Sequence, residues 1–192
     1  MKKTSKALLL MLCAVLLVAA SVLGTMAYLT SQDSVTNTFT VGKVAITLDE
    51  AKVNPDGTPV TGANRVDTNT YHLLPGHSYT KDPTVHVADG SENCWLFVKL
   101  ENGLKNIIDA TTIEDQMRTN GWTLIDSKNN VYAYKDVCSK NINVPVFGSF
   151  KLTGTADVAN YANASIVVTA YAVQADGFDT ATAAWNAAGF TA

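Results

Sequence analysis

Three histidines (His72, His77 and His86) and three cysteines (Cys13, Cys94 and Cys138) carry the richest potential chemistry in this chain. Imidazoles bind divalent metals when two or three converge with a carboxylate, for which Asp82 and Asp89 are the nearest candidates. Their spacings do not make the HExxH pattern that sets two histidines on one helical face. The expectation is three partly exposed loop or strand-edge imidazoles and no cofactor. A zinc site assembled from His72, His77 and His86 is the alternative. No serine lies in a G-x-S-x-G elbow, the cysteines have no evident His and Asn/Asp partners, and no Gly-rich loop opens a helix. The segment DSKNN at 126–130 offers oxygen ligands but lacks the Gly and terminal Glu of a calcium loop. The residues make no positive case for an enzyme.

The front of the chain has a different character. Lys2, Lys3 and Lys6 precede an apolar or small stretch from Ala7 to Leu23. A basic region, an apolar region and small residues before a cut describe a secretory signal peptide. Thr25 and Ala27 supply the small residues, so cleavage is expected between Ala27 and Tyr28. A membrane anchor is the competing reading, since the run approaches the ~20 residues that span a bilayer. No charge cluster follows the run. Leu12 is too bulky to precede a lipidated Cys13.

Removing residues 1–27 leaves 11 basic against 17 acidic residues, a net charge of −6. A chain so acidic has no basic patch for nucleic acid or an anionic membrane surface, and membrane contact is expected only before cleavage. At roughly 165 residues it fits one domain with its own core. Export would carry Cys94 and Cys138 into an oxidising environment, where either a disulfide or two separately buried thiols is possible.

Beyond residue 40 the periodicity is mostly two. VAITL sets Val44, Ile46 and Leu48 on one face, and CWLFVKL is nearly all apolar, as in a central strand covered on both sides. WTLI and VYAY flank DSKNN, which predicts a hairpin from Trp122 to Tyr134. VPVFGSFKL is broken by Pro145 and Gly148 and suits an edge or a bulge. SIVVTAYAV forms a long last strand. A short helix is expected within Asn106–Gly121, with Ile108, Ile113 and Met117 as its stripe and Gly121 as its stop. A second, near the C-terminus, has Asp179 as cap and Trp185 packing inward. Residues 54–70 are rich in Gly, Pro and polar residues and predict a surface loop. This pattern implies an antiparallel β-sandwich with one or two short helices, preceded by a signal helix.

The stretch GTMAYLTSQDSVTNTFTVGKVAITLDE resembles the start of the TasA/camelysin family, exported Gram-positive proteins processed by the dedicated signal peptidase SipW. The family pattern of a small residue and an aromatic at the cut, a polar linker, then Asn, aromatic, Gly and a strand is matched by Ala27, Tyr28, Asn37, Phe39, Gly42 and Val44–Leu48. LLPGHSYTKDPTVHVADGSENCWLFVKL resembles a second family block, although Pro83 interrupts the strand after Lys81, and the two later cysteines are not a general family feature. The resemblance implies a jelly-roll sandwich spanning 43–192, secreted and built into biofilm matrix fibres. It implies that residues 28–42 of one subunit complete the sheet of the next, a copy of itself or a related matrix subunit. Tyr28–Phe39 is polar, β-tolerant and free of proline, with Val35 and Phe39 able to fill pockets. A camelysin-like metallopeptidase and a cell-surface adhesin presenting the 51–70 loop are the other readings.

Overall fold

The computed structural model describes Lys6 and residues 11–18, 42–109 and 113–190. The chain divides into two units, Met1–Thr40 and Val41–Ala192. In the first, residues 11–18 are helical (α1). Among the described residues, no helix is long and apolar enough to cross a membrane.

The second unit is β-rich and its named strands pair antiparallel. Strands β1 (Ile46–Asp49), β3 (Thr84–Val87) and β7 (Asn143–Pro145) form one sheet in the order β1-β3-β7. Strands β5 (Trp122–Asp126), β6 (Val131–Tyr134), β4 (Cys94–Asn102) and β9 (Ile166–Gln174) form a second in that order, while β2 (Ser78–Thr80) pairs with β8 (Ser149–Lys151). Pro83 separates β2 from β3. It has no N–H to offer a ladder, and the two strands it divides go to different sheets.

The continuous apolar run of β4 is explained by burial on both faces. Cys94, Leu96, Val98 and Leu100 point into the main core with Val85, Val144, Phe147 and Leu152. Trp95 and Phe97 point the other way, into a smaller cluster with Trp185 and Ala184 of helix α3 (Ala181–Ala188). The expected inward Trp185 is therefore present, and its ring lies 5.1 Å from Phe97 and 5.5 Å from Tyr171. The cap is Thr180 and not Asp179: its hydroxyl accepts from the Ala183 N–H at 3.2 Å. Gly189 then ends the helix at φ 63°, the left-handed conformation that glycine adopts without a Cβ penalty.

The hairpin expected at 122–134 is formed by β5 and β6. Asp126 organises its turn, accepting from the Lys128 and Asn129 N–H groups at 2.9 and 3.2 Å. The segment broken by Pro145 and Gly148 becomes two strands in two sheets, β7 at one edge and β8. Helix α2 spans Ile113–Thr119, within the segment where a short helix is expected. Ile113 and Met117 are its buried stripe, but Ile108 forms an isolated bridge with Leu152. Gly121 follows the helix at φ 94°.

Candidate functional site: a groove beside an edge strand

The larger sheet ends at β9, nine residues long and paired along its whole length with β4. Among the described residues no strand pairs with its other side. An unpaired edge presents a row of N–H and C=O groups that another chain can use. Its side chains alternate: Ile166, Val168, Ala170 and Ala172 pack towards the main core, while Tyr171 and Val173 join the cluster beneath α3. Val167 stays exposed at 42 %, a β-branched apolar side chain left in water.

Among the described strands β1 is likewise an edge, paired with β3 alone, and it runs close to β9. Between them opens a groove of about 660 Å³, whose apolar wall includes Leu48, Leu73, Leu104, Phe150, Ile166 and Val168. Tyr71 also lines it, donating its hydroxyl to Thr80 O at 3.0 Å. Burial, reinforced by the charges of Glu50 and Asp82, pushes that phenol well above its ordinary range.

One end of the groove is polar. Glu50 is 4 % exposed and accepts from Lys81 Nζ at 2.6 Å and from Asn69 Nδ2 at 3.0 Å. Beside this pair, Arg65 Nε binds Asp49, Nη1 binds Asp82 at 3.0 Å and Nη2 donates to Asp82 O at 2.9 Å. Asp82 in turn accepts from the Ala51 N–H at 2.6 Å. Burial opposes a charged Asp49, but hydrogen bonds from Arg65 and His86 outweigh it and hold the carboxyl below its ordinary value. The 51–70 segment is thus tied to the domain through Arg65 and the Glu50–Val66 bridge, while the Val53–Pro59 bridge closes a turn within it.

Removing the Arg65 head should destabilise the domain. Arg65→Ala is expected to cost about 1–2 kcal/mol at neutral pH, the modest scale of a half-exposed but multiply bonded guanidinium. Asp49 titrates lower in the folded state than its ordinary 3.8. Its contribution is therefore complete above that value and lost as pH falls through the folded one. Urea midpoints should show the gap between wild type and variant at pH 7 shrinking below about pH 4; a pH-independent gap would mean that Asp49 is not the partner that matters.

The histidines fall in separate surroundings. His72 is exposed, and His77 Nε2 lies 2.8 Å from Asp56 O with its ring edge-on to Tyr79. His86, on β3, holds Asn143 at 2.7 Å and Asp49 at 2.8 Å. Asp89 accepts from Asn141 Nδ2. Among the described residues no three metal-ligating side chains come together. Cys94 and Cys138 are brought face to face, both buried and both free thiols. Gly42 begins the described part of the domain, where a Cβ would meet Glu92 Cγ at 3.0 Å. Thr25, Ala27, Tyr28, Val35, Asn37 and Phe39 lie outside the described residues.

Sequence reasoning did not identify Glu50, Lys81, Arg65 or Asn69. Their only signal was an unusual density of charged and amide residues flanking short apolar runs. The groove and the edge belong to one β-rich domain with antiparallel sheets. No family model, curated protein or solved structure matches this chain.

Proposed function

We propose that this chain is a secreted structural subunit of extracellular matrix fibres, similar to the TasA/camelysin proteins, with a jelly-roll sandwich as its domain. A SipW-like signal peptidase removes residues 1–27. The new N-terminus, Tyr28–Thr40, pairs with the next copy or a related matrix subunit. The reading is supported above all by the outer edge of β9, unpaired among the described residues, beside a groove with an apolar wall. Strand addition at such an edge gains main-chain hydrogen bonds, and side chains seated in the groove set the register.

The lengths are compatible. Thirteen extended residues reach roughly 43 Å, against roughly 30 Å for nine-residue β9, so the donor covers the strand with a few residues left as a hinge. Val35, Asn37 and Phe39 share one face of an extended segment, which suits a wall of Leu48, Ile166 and Val168. A head-to-tail contact of this kind does not close on itself and propagates as a filament.

The test compares chains beginning at Tyr28 and at Lys43 by electron microscopy, size exclusion and circular dichroism. Filaments from the longer chain alone, with the shorter still folded, are the expected result. If both stay monomeric and one binds a cell-wall polymer, the adhesin reading replaces this one.

A further inference from the structure

Cys94 and Cys138 meet across an isolated antiparallel bridge. The Cys94 N–H donates to Cys138 O at 2.9 Å, and the Cys138 N–H donates to Cys94 O at 2.8 Å. Residues that exchange both backbone bonds have Cα atoms about 5.5 Å apart and side chains on the same face. That spacing falls within the roughly 4.4–6.8 Å seen between the Cα atoms of disulfides. Cβ atoms of a hydrogen-bonded pair start near the wide end of about 4.5–5.5 Å, so bonding draws them together by about 1–2 Å. Both side chains are fully buried in the same core cluster.

We infer that Cys94 and Cys138 are the site of an intramolecular disulfide, which pins the 135–142 crossover between the two larger sheets to the first residue of β4. The crossover leaves β6 in one sheet and enters β7 in the other, so the bond joins both sheets at one end of the core. The inference goes beyond the fibre reading and does not depend on it.

The bond forms by thiol–disulfide exchange with an external disulfide, either a small molecule or the active-site disulfide of an oxidoreductase. One cysteine thiolate attacks the acceptor's S–S bond, and one acceptor sulfur leaves as a thiol. The second cysteine attacks the mixed disulfide, the Sγ–Sγ bond forms, and the second acceptor sulfur leaves. Two cysteine thiols thereby lose two protons and two electrons, and the acceptor disulfide gains both. The weak contact from Cys138 Sγ to Asp136 O, at 3.7 Å, is given up.

Burial pushes the Cys94 thiol up to about 11 and the Cys138 thiol up to about 12, the latter aided by Cys94 and Asp136. Thiolate is the attacking species, so exchange belongs to the folding chain, before the core closes over both sulfurs.

The test folds the full chain in a glutathione buffer with the oxidised form in excess, then denatures it, adds maleimide and measures intact mass. Cys13 alone is expected to carry an adduct, one maleimide or one glutathione, with a non-reducing peptide map joining Cys94 to Cys138. A chain folded in reductant should melt roughly 10 °C lower, given the length of loop the bond closes. Cys94→Ala/Cys138→Ala should melt at the same temperature in both buffers. Labelling and mapping of the native sequence stand even if that variant fails to fold. Three maleimides, or a map joining either residue to Cys13 or to a second chain, would overturn the inference.

Discussion

Replacing Lys81 by Met should destabilise the domain by about 3–5 kcal/mol, the cost of leaving a buried carboxylate without its counter-charge. The side chains of Lys81 and Glu50 are only 12 % and 5 % exposed, and their 2.6 Å contact is the main compensation for taking Glu50 out of water. Asn69 Nδ2 satisfies the other carboxylate oxygen but brings no charge. Met keeps most of the lysine stem, so lost packing contributes little to the expected effect. The double change Glu50→Leu/Lys81→Met removes the buried charge altogether and should recover at least 2 kcal/mol of the loss. Asn69 Nδ2 retains its bond to Ala51 O at 2.8 Å in that variant. Urea titration with an unchanged m-value measures both. A single-variant cost under 1 kcal/mol would show that water reaches Glu50 and that this end of the groove is open.

The second large effect concerns Trp122, which is 1 % exposed at the start of β5. Its ring stands edge-on to Tyr134 at 5.3 Å, and its indole N–H donates to Pro145 O on β7 at 2.9 Å. One side chain therefore fills core volume beneath the larger sheet and bonds to the smaller one. Trp122→Ala should cost about 3–5 kcal/mol through lost transfer energy and the cavity left behind. Trp122→Phe keeps most of the volume and drops the hydrogen bond, for a cost of about 1–2 kcal/mol. Thermal melts of the two variants separate packing from bonding. Equal losses would mean that the Pro145 contact, and not the filled volume, holds the sheets together.

Much of the strand pattern was legible because burial writes it directly into residue type. The run from Cys94 to Leu100 is apolar on both faces because a core lies on one side and α3 on the other. The Trp122–Tyr134 hairpin was readable from a turn whose Asp and Asn residues bond locally. Ile108 was misplaced on a helix because its spacing from Ile113 and Met117 mimics a stripe. Its bridge to Leu152 depends on a strand far along the chain. The same limitation hid the groove. Arg65, Glu50 and Lys81 have partners chosen by chain closure, and no local spacing announces that Arg65 will meet Asp82. Nor does the interval between Cys94 and Cys138 announce a shared bridge. Thr180 replaced Asp179 as cap through a one-residue shift, which sequence preference alone does not resolve.

The pairing of β4 with β9 also has a consequence in time. Asn102 lies opposite Ile166 and Cys94 opposite Gln174. At roughly 5–20 residues per second, the ribosome releases β9 on the order of several seconds after β4. Throughout that interval β4, whose residues Cys94–Val98 are all buried in the finished domain, lacks one neighbour, and its closure is the slow, long-range kind. The outer edge of β9 comes into being only with this last pairing. The strand addition proposed above therefore requires each molecule to have paired β4 with β9 first.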